Sequence, residues 1–442
     1  FRKPAPMSEV TSPARSAVFP LARPYTLPCG VVVRNRIIKA AMTEQMSDAD
    51  HRPTPELIRL YERWGRGGAG ALLTGNIMVD KRALEGPRNV VVDVEDDLNT
   101  GLLKEWASRS KSNGCALWAQ ISHPGRQTPR GTSSLIIAPS AVGLEGYGPM
   151  FSPPRAATEP EILDVIRRFA HTASFLQEAG FDGVEVHAAH GYLISSFLSP
   201  RVNKRLDEWG GTPENRMRLL LEVVRAIRAA CGDSFPIAVK LNSADFQRGG
   251  FTESDSADVV KALEAERIDL LEISGGNYES PMMVATGEAN NPRRESTIRR
   301  EAFFLEYAQK IRSQTSIPLM LTGGLRTVET MTQILEEGDV DFIGMARPFA
   351  LDPDIAAKLI RGESASSKPT TCCRAFGIRN RCIAWDAAWI PSSTTAGSLR
   401  FRRAFGIYSA NGRPGVSDST NALRLEMRVT IRQVEFLQGA GQ

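Results

Sequence analysis

The stretch GFDGVEVHAAHGYLISSFLSP, residues 180–200, determines how the rest of the chain is interpreted. Val184 and Val186 alternate with polar residues, and this period of two predicts a short strand whose two faces differ. The strand runs into a loop that carries an imidazole, His190, and a phenol, Tyr192. Such side chains, released together where a strand ends, are more typical of a chemical site than of a hydrophobic core.

Two interpretations of the histidines are open at this point. In the first, His187 is a hydrogen-bonded core residue and His190 a surface residue, because buried histidines with a satisfied partner are common. In the second, both imidazoles face a pocket together with Tyr192. A zinc ion between the histidines is a further alternative, but no third ligand occurs at a suitable spacing, and we expect no metal.

The composition is that of an ordinary globular protein. The 442 residues are 42% apolar and 24% charged, with a formal net charge of +4, which suits one large domain with additions or two smaller ones. No basic stripe interleaved with aromatics occurs, so we expect no nucleic-acid partner. No apolar run is long enough for a bilayer and no signal peptide is recognised, so we expect no membrane partner. The six cysteines are scattered, which favours a reducing, cytoplasmic location.

Apolar strand-like runs alternate with helix-like stretches from Arg36 onward. Alternation repeated eight times predicts a parallel (β/α)₈ TIM barrel, which takes about 250 residues or more. Helix starts are predicted at Thr212, with proline in the first turn, and at Thr252, with Asp255 completing a capping box. The predicted strands are RIIKAAM (36–42), GALLTGNIMV (70–79), CALWAQISH (115–123), GVEVHAA (183–189), IAVKLNS (237–243), LLEISGG (270–276), PLMLTGG (318–324) and DFIGMAR (341–347).

A barrel places its functional groups at the carboxyl ends of its strands. Polar residues and glycines do collect there, for example Gln120 on strand three and Lys240 on strand five. The long loop from Gln127 to Pro160 is rich in Gly, Pro and Ser, and we expect it to cap the mouth and shape the pocket.

The ends of strands seven and eight predict a phosphate site. Gly323 and Gly324 let backbone N–H groups approach an anion, Thr327 can begin a helix whose positive end faces it, and Arg347 adds a charge-assisted contact. A lone Gly-Gly pair favours a simple tight turn instead. The arginine in the adjacent unit favours the phosphate.

A second glycine-rich segment is rejected as a cofactor site. Residues 65–70, GRGGAG, fit the GxGxxG pattern of dinucleotide-binding proteins, but that pattern must follow a strand and open a helix. Here it follows a predicted helix and precedes a strand, which predicts a turn that stops the helix.

Taken together, these segments resemble the Old Yellow Enzyme family of NADH:flavin oxidoreductases. The resemblance covers about residues 25–365 and depends on several motifs in the same order. It implies a (β/α)₈ barrel with non-covalent FMN, hydride supplied by NADH or NADPH, and reduction of activated alkenes such as enones by hydride transfer from flavin N5. The motifs are VRNRIIKAAMTE (33–44), LWAQISHPGRQ (117–127), the run from Gly180 to Arg228, and GMARPFALDP (344–353).

The resemblance also implies roles for individual residues. His187 and His190 would hydrogen-bond the substrate carbonyl oxygen, and Tyr192 would protonate the alkene carbon. Gln45 and Tyr278 would contact substrate; some relatives have a tyrosine at the position of Gln45, which puts substrate preference in doubt. The implied FMN contacts are Ala41, Met42, Thr43 (to flavin O4), Gly75, Gln120 and Lys240 (at the pyrimidine edge, Lys240 where relatives often have arginine), and Arg300, Gly323, Gly324, Ala346 and Arg347 (around the phosphate).

The ends of the chain are expected to differ from the barrel. We predict an N-terminal arm at residues 1–20 that is disordered, an FMN-binding barrel at 21–375, and a C-terminal extension of unclear structure at 376–442. Cys372, Cys373 and Cys382 do not supply four thiolates at suitable spacing, which argues against the iron–sulfur branch of the family.

Other functions remain open from sequence. The expected ene-reductase has as alternatives a flavin NADH oxidase, a flavin-binding barrel without turnover, and an FMN-dependent hydroxyacid oxidase. The natural alkene, the choice between NADH and NADPH, and whether the chain forms a homo-oligomer are not fixed by these patterns.

Overall fold

The structure is a computed structural model that describes residues 20–94, 100–148, 150–279, 304–325 and 327–363. The expectations for residues 1–19, for Arg300 and for the C-terminal extension lie outside these ranges. Pro20, placed in the predicted arm, is buried and begins a short 3₁₀ turn, Pro20–Ala22.

Eight parallel strands form a closed barrel, which confirms the predicted fold. Each strand pairs with the next, β8 pairs with β1, and β4 pairs with both β3 and β5, so the sheet closes on itself. Every predicted strand segment contains one of them. The strands are β1 (Ile37–Lys39), β2 (Ala71–Leu73), β3 (Ala116–Ser122), β4 (Gly183–Ala188), β5 (Ile237–Asn242), β6 (Leu270–Ser274), β7 (Leu319–Thr322) and β8 (Phe342–Met345).

The second predicted strand is interrupted. It forms β2 and then, after a break at Thr74, a short strand Ile77–Met78 that pairs with the end of β3 and with Val90–Val91. The hydroxyl of Thr74 accepts the N–H of Gln120 at 3.0 Å and donates to the carbonyl of Gly75, which bends the chain out of the barrel.

Helices surround the barrel, and their predicted starts are confirmed. Thr212 Oγ1 accepts the N–H of Asn215 at 3.3 Å, and Thr252 and Asp255 form the expected capping box. The helices are α1 (Pro55–Arg66), α2 (Thr100–Ser110), α3 (Glu159–Glu178), α4 (Leu193–Leu198), α5 (Pro213–Cys231), α6 (Glu253–Ala265), α7 (304–312), α8 (Val328–Glu336), α9 (Arg347–Leu351) and α10 (Ile355–Arg361). No helix of the described ranges is both long enough and apolar enough to cross a membrane.

The GRGGAG segment begins with the last two residues of α1 and runs to the start of β2, which confirms the predicted helix-stopping turn. Gly68 has a φ of +95°, and an added Cβ would lie 2.7 Å from the Cβ of Ala357. The glycine is therefore required by backbone conformation and by close packing against α10.

The barrel interior is apolar at its amino-terminal end and polar at its carboxyl end. An apolar cluster from seven strands fills the lower part, and a hairpin of Tyr25–Thr26 with Val32–Val33 closes it from below through Leu27 and Val33. Two residues further along four of these strands, the same inward face carries polar side chains. The apolar strand residues are Ile38, Ala71, Leu73, Trp118, Ala238, Leu270, Met320 and Phe342.

The long loop packs at the carboxyl end of the barrel, as expected. Tyr147 donates its hydroxyl to the carbonyl of Tyr278 at 2.9 Å, and the ring of Phe151 lies 6.2 Å from the ring of Tyr278. Arg126 and Glu279 form a buried ion pair at 2.5 Å that ties the start of the loop to the segment after β6. The loop therefore forms one wall of the mouth.

Candidate active site

The structure brings His187, His190 and Tyr192 together at the end of β4. The ring centroids of His187 and His190 are 5.1 Å apart, and those of His187 and Tyr192 are 4.7 Å apart, both edge to face. All three residues are buried in the mouth of the barrel. This geometry fits the interpretation in which both imidazoles and the phenol share one pocket.

His187 is a neutral hydrogen-bond donor. Burial, helped by the nearby His190 and Lys240, holds the pKa of His187 well below its ordinary value. The N–H of Ala189 donates to His187 Nδ1 at 3.3 Å, so the single proton of the neutral ring resides on Nε2. Nε2 therefore carries the N–H group that remains available for hydrogen bonding.

His190 occupies a strained backbone position that its neighbours hold in place. Its φ is +64°, a left-handed conformation that costs a non-glycine residue about 1–3 kcal/mol. Its backbone N–H donates to Oδ1 of Asn242 at 3.2 Å, and its Nε2 lies 2.6 Å from Oγ of Ser274. Burial and Lys240 hold the pKa of His190 well below its ordinary value, so this ring is also neutral.

Tyr192 lies between a second phenol and a carboxylate. Its hydroxyl is 3.1 Å from the hydroxyl of Tyr278 and donates to Oε1 of Glu85 at 2.8 Å. Burial, the Glu85 carboxylate and Tyr278 hold the pKa of Tyr192 well above its ordinary value. The phenol therefore keeps its proton, and Tyr278 is brought to the pocket as the sequence predicted.

Glu85 is a site residue that the sequence analysis missed. It lies in the irregular segment between Met78 and Val90, and its carboxylate receives hydrogen bonds from Asn76, Asn89 and Tyr192 and lies close to the Thr43 hydroxyl. A glutamate in a loop rich in charged residues has no periodic pattern that marks it as buried. The only signal was its position before Gly86-Pro87, between two apolar runs.

The tips of β1 and β2 form a second side of the pocket. Ala41 packs on the interior cluster, Met42 is buried, and Thr43 Oγ1 lies 3.2 Å from both carboxylate oxygens of Glu85. Gly75 fits so tightly that an added Cβ would lie 2.2 Å from the carbonyl oxygen of Met42. Its N–H group points to Glu44 and to the Tyr61 hydroxyl, so it is already engaged within the protein.

Gln45 is bound to the rim. Its φ is +55°, its side-chain carbonyl accepts the N–H of Arg88 at 3.0 Å, and an added Cβ on Gly86 would collide with its amide. The carbonyl of Gln45 is therefore committed to the loop that carries Glu85.

A polar layer lies in the barrel interior, above the apolar cluster. Gln120 Nε2 donates to Glu185 at 2.6 Å, and Lys240 Nζ lies 3.1 Å from Oε1 of Glu272. Burial and the neighbouring Glu272 raise the pKa of Glu185 well above its ordinary value. Burial alone would raise the pKa of Glu272, but the Lys240 ammonium lowers it below its ordinary value. Gln120 and Lys240 thus sit together as predicted, with two carboxyl groups whose pairing sequence reasoning did not find.

The ends of β7 and β8 are neighbours, because Thr322 pairs with Gly344. Gly323 and Gly324 have φ values of +99° and +79°, and nothing lies within 4 Å of a Cβ built on Gly323. Thr327 begins α8, as predicted, by accepting the N–H of Thr330.

Arg347 begins α9 directly after the partly buried Ala346. Among the described residues no hydrogen bond or ion pair engages Arg347. The open space, the two left-handed glycines of the neighbouring strand end and this arginine fit a phosphate group better than a simple turn.

The part of the chain that the structure describes contains no candidate metal site. No three histidine, cysteine, aspartate or glutamate side chains there are arranged to hold a metal ion.

Comparison with known sequences identifies a family. Residues 21–365 match the NADH:flavin oxidoreductase / NADH oxidase family. The chain is 41% identical over 342 residues to the NADH-dependent flavin oxidoreductase nadA of Aspergillus parasiticus, which covers 74% of this chain and 76% of the relative. It is 30% identical to the NADPH dehydrogenase of a Geobacillus species, covering 75% of this chain and 91% of that enzyme.

Solved structures with the same fold include an old yellow enzyme homologue from Zymomonas mobilis. It matches with a TM-score of 0.66 and 26% identity, covering 79% of this chain and 95% of that one. A 2-naphthoyl-CoA reductase in complex with 2-naphthoyl-CoA matches with a TM-score of 0.71 and 26% identity, covering 81% of this chain and 55% of that one.

Proposed function

The chain belongs to the NADH:flavin oxidoreductase / NADH oxidase family, and we propose that within this family it reduces activated carbon–carbon double bonds of enones. Its cofactor is FMN and its hydride donor a reduced nicotinamide nucleotide, as the family and the names of its relatives indicate. The observation that carries the proposal is the group of two neutral imidazoles and one protonated phenol in a single buried pocket.

Residues of this chain fit FMN at three places. Gly323, Gly324, Ala346 and Arg347 would hold the phosphate, since Gly323 leaves open space, both glycines have left-handed backbones, and the arginine has no partner among the described residues. Gln120 and Lys240 would meet the pyrimidine edge from the polar layer, and Ala41, Met42, Thr43 and Gly75 would line the ring from β1 and β2. When bound, FMN accepts hydride from the nucleotide and passes it to the alkene. We place this FMN-binding domain at residues 21–375, which contain the matched region.

His187 and His190 would bind the carbonyl oxygen of the substrate. Hydride addition to an enone moves negative charge onto that oxygen, and neutral imidazole N–H groups stabilise it without a change in their own charge. Their burial and fixed hydrogen bonds to Ala189, Asn242 and Ser274 hold them ready for this task. Each donor of this type contributes about 10²–10³ in rate in comparable sites.

Tyr192 would supply the proton to the other alkene carbon. A general acid must be protonated before the reaction and must lie in the pocket, and burial beside Glu85 and Tyr278 provides the first condition. Substrate would rest beside this phenol, with Tyr278 and the rim residue Gln45 as further contacts.

The proposal is tested by the colour of the flavin. Under anaerobic conditions the purified yellow protein is expected to bleach with NADH or NADPH and to regain its colour when cyclohexenone is added. Bleaching without recovery by any enone would leave a flavin NADH oxidase, a name that one relative from Thermoanaerobacter brockii carries. Bleaching by lactate would indicate a hydroxyacid oxidase, and a protein that does not bind FMN would contradict the proposal altogether.

A further inference from the structure

Glu85 is a carboxylate that the proposed reaction does not yet use. Its two oxygens are approached from separate chain segments: Asn76 Nδ2 lies 2.7 Å from Oε2, and the hydroxyl of Tyr192 lies 2.8 Å from Oε1. Thr43 Oγ1 lies 3.2 Å from both oxygens, and Asn89 Nδ2 lies 3.5 Å from Oε2. Among the described residues, hydrogen-bond donors rather than cations surround this carboxylate.

The loop around Glu85 is built to hold the carboxylate still. Oδ1 of Asn89 accepts the N–H of Gly86 at 2.7 Å and closes the turn after Glu85. Gly86 packs so closely on the amide of Gln45 that an added Cβ would lie 2.5 Å from its nitrogen. This turn fixes the backbone that carries the carboxylate beside Tyr192.

A count of protons shows why the state of Glu85 matters. The Nδ2 atoms of Asn76 and Asn89, which face Oε2 of Glu85, can only donate, so Oε2 must accept. Oε1 faces two hydroxyls, those of Tyr192 and Thr43, and a hydroxyl can donate its single proton to only one acceptor at a time. While the carboxylate is ionised, Oε1 accepts a hydrogen bond from Tyr192, so the phenol's proton points to Glu85 and not into the pocket. If Oε1 carries a proton, it donates to a hydroxyl instead.

We propose that Glu85 is a positioning residue that controls where the hydroxyl proton of Tyr192 points and that replaces this proton after each turnover. The inference rests on the proposed function. With a proton on Oε1, Glu85 donates to the Tyr192 oxygen and leaves the phenol's own proton facing the substrate. Without it, Glu85 accepts the phenol's proton and withdraws it from the substrate.

The proton balance of one cycle follows directly. The O–H bond of Tyr192 breaks as a C–H bond forms on the alkene carbon that did not receive hydride. The resulting phenolate takes the proton from Oε1 of Glu85, across the 2.8 Å hydrogen bond. A proton from bulk solvent, the one proton that the overall reaction consumes, then returns to the Glu85 carboxylate, whose residue is partly exposed.

The surroundings shift Glu85 toward its protonated form. Burial raises its pKa, although the hydrogen bonds from Asn76, Tyr192, Thr43 and Asn89 oppose this effect. The other titratable groups that face the pair are Tyr278, beside the Tyr192 hydroxyl, and the neutral His187 ring. As pH rises through the pKa of Glu85, the carboxylate ionises and the rate of alkene protonation is expected to fall.

The experiment compares Glu85→Gln with the wild type over the pH range in which the protein stays folded. A glutamine amide can donate to Tyr192 permanently but cannot ionise, so this variant should lose the fall in the rate of flavin reoxidation by cyclohexenone as the pH rises. In the wild type that rate should fall about tenfold for each pH unit above the pKa of Glu85. The rate of flavin reduction by NADH should be the same in both proteins, and Glu145→Gln, at a side chain that is 77% exposed, is the matched control.

A second readout does not depend on turnover. Removal of the Glu85 charge should lower the pKa of Tyr192 by about one pH unit or more, which ultraviolet titration of tyrosinate in the oxidised holoenzyme detects and Tyr192→Phe assigns. A fall with rising pH that persists in Glu85→Gln, or an unchanged tyrosinate titration, would overturn the role of Glu85. If the wild type bleaches but no enone reoxidises it, the proposed function fails while the titration still tests the contact between Glu85 and Tyr192.

Discussion

The two sides of the barrel mouth are built differently. On the side of β4–β6, His190, Tyr192 and their neighbours have protein partners: Ser274, Asn242, Glu85 and Tyr278 complete a dense set of hydrogen bonds. On the side of β7 and β8, Gly323 faces open space, and Arg347 has no partner among the described residues. The first side is organised before any ligand arrives, whereas the second has the open space that our proposal assigns to the FMN phosphate.

This difference separates two tasks. Transition-state stabilisation needs groups that are already in place, since any reorganisation would add to the barrier. Cofactor affinity instead needs donors that are still free, because a donor satisfied by the protein gains little by exchanging partners. Substitutions on the two sides should therefore affect different measurements, and four predictions test this, beginning with the largest effect.

Tyr192→Phe should slow flavin reoxidation by an enone by about 10²–10⁴, the usual contribution of a general acid. Reduction by NADH should change little, because hydride donation by the nucleotide needs no proton from Tyr192. Anaerobic stopped-flow absorbance of the flavin measures both steps. Tyr307→Phe, which also removes a buried hydroxyl but on α7, is the control; an unchanged reoxidation rate in Tyr192→Phe would mean that water or another acid supplies the proton.

His190→Ala should slow the same reoxidation step by about 10²–10³ and weaken the binding of phenolic ligands. The FMN affinity should stay within a few-fold of the wild type, because the imidazole belongs to the preorganised side. His171→Ala, at a partly exposed histidine on α3, is the matched control. A large loss of FMN from His190→Ala would mean that His190 also contributes to cofactor affinity, which would contradict the division of tasks between the two sides.

Arg347→Ala should weaken FMN binding by about 10–100-fold, the value of one hydrogen bond between charged groups. Titration of the flavin-free protein by FMN fluorescence measures this loss. With FMN in excess, enone reduction should recover to near the wild-type rate. Arg361→Ala, at an exposed arginine that pairs with Glu363, should leave the affinity unchanged.

Gly323→Ala has the smallest expected effect. Its φ of +99° would strain an alanine by about 1 kcal/mol, so both stability and FMN affinity should decline slightly. Gly30→Ala is a closely matched control, because Gly30 has a φ of +87° and also nothing within 4 Å of an added Cβ. Thermal unfolding should show similar losses in both variants, whereas only Gly323→Ala should weaken FMN binding, by roughly fivefold or more. Equal FMN affinities in the two variants would remove Gly323 from the cofactor site.

Much of the fold was predictable because the barrel repeats one simple pattern. Each strand is a short apolar run bounded by turn residues, and caps such as Thr212 follow local rules that need no knowledge of tertiary structure. The catalytic candidates were predictable for a related reason: His187, His190 and Tyr192 lie within six residues of one strand end, so sequence proximity ensures spatial proximity.

The remaining site features depend on contacts between distant segments. Glu85 meets Tyr192 across 107 residues, and Glu272 meets Lys240 only because β5 and β6 pair in a particular register. Neither contact produces a periodic pattern in the sequence from which it could be predicted. The break after β2 was missed because Thr74 satisfies backbone groups with its side chain, which an apolar run of ten residues conceals.

The hairpin under the barrel has a consequence for how the two substrates reach the pocket. Leu27 and Val33 close the amino-terminal end of the barrel, and the His–Tyr cluster of the described residues lies at the opposite, carboxyl end. We expect nucleotide and alkene to bind at this end in turn, so an excess of one should slow the reaction of the protein with the other.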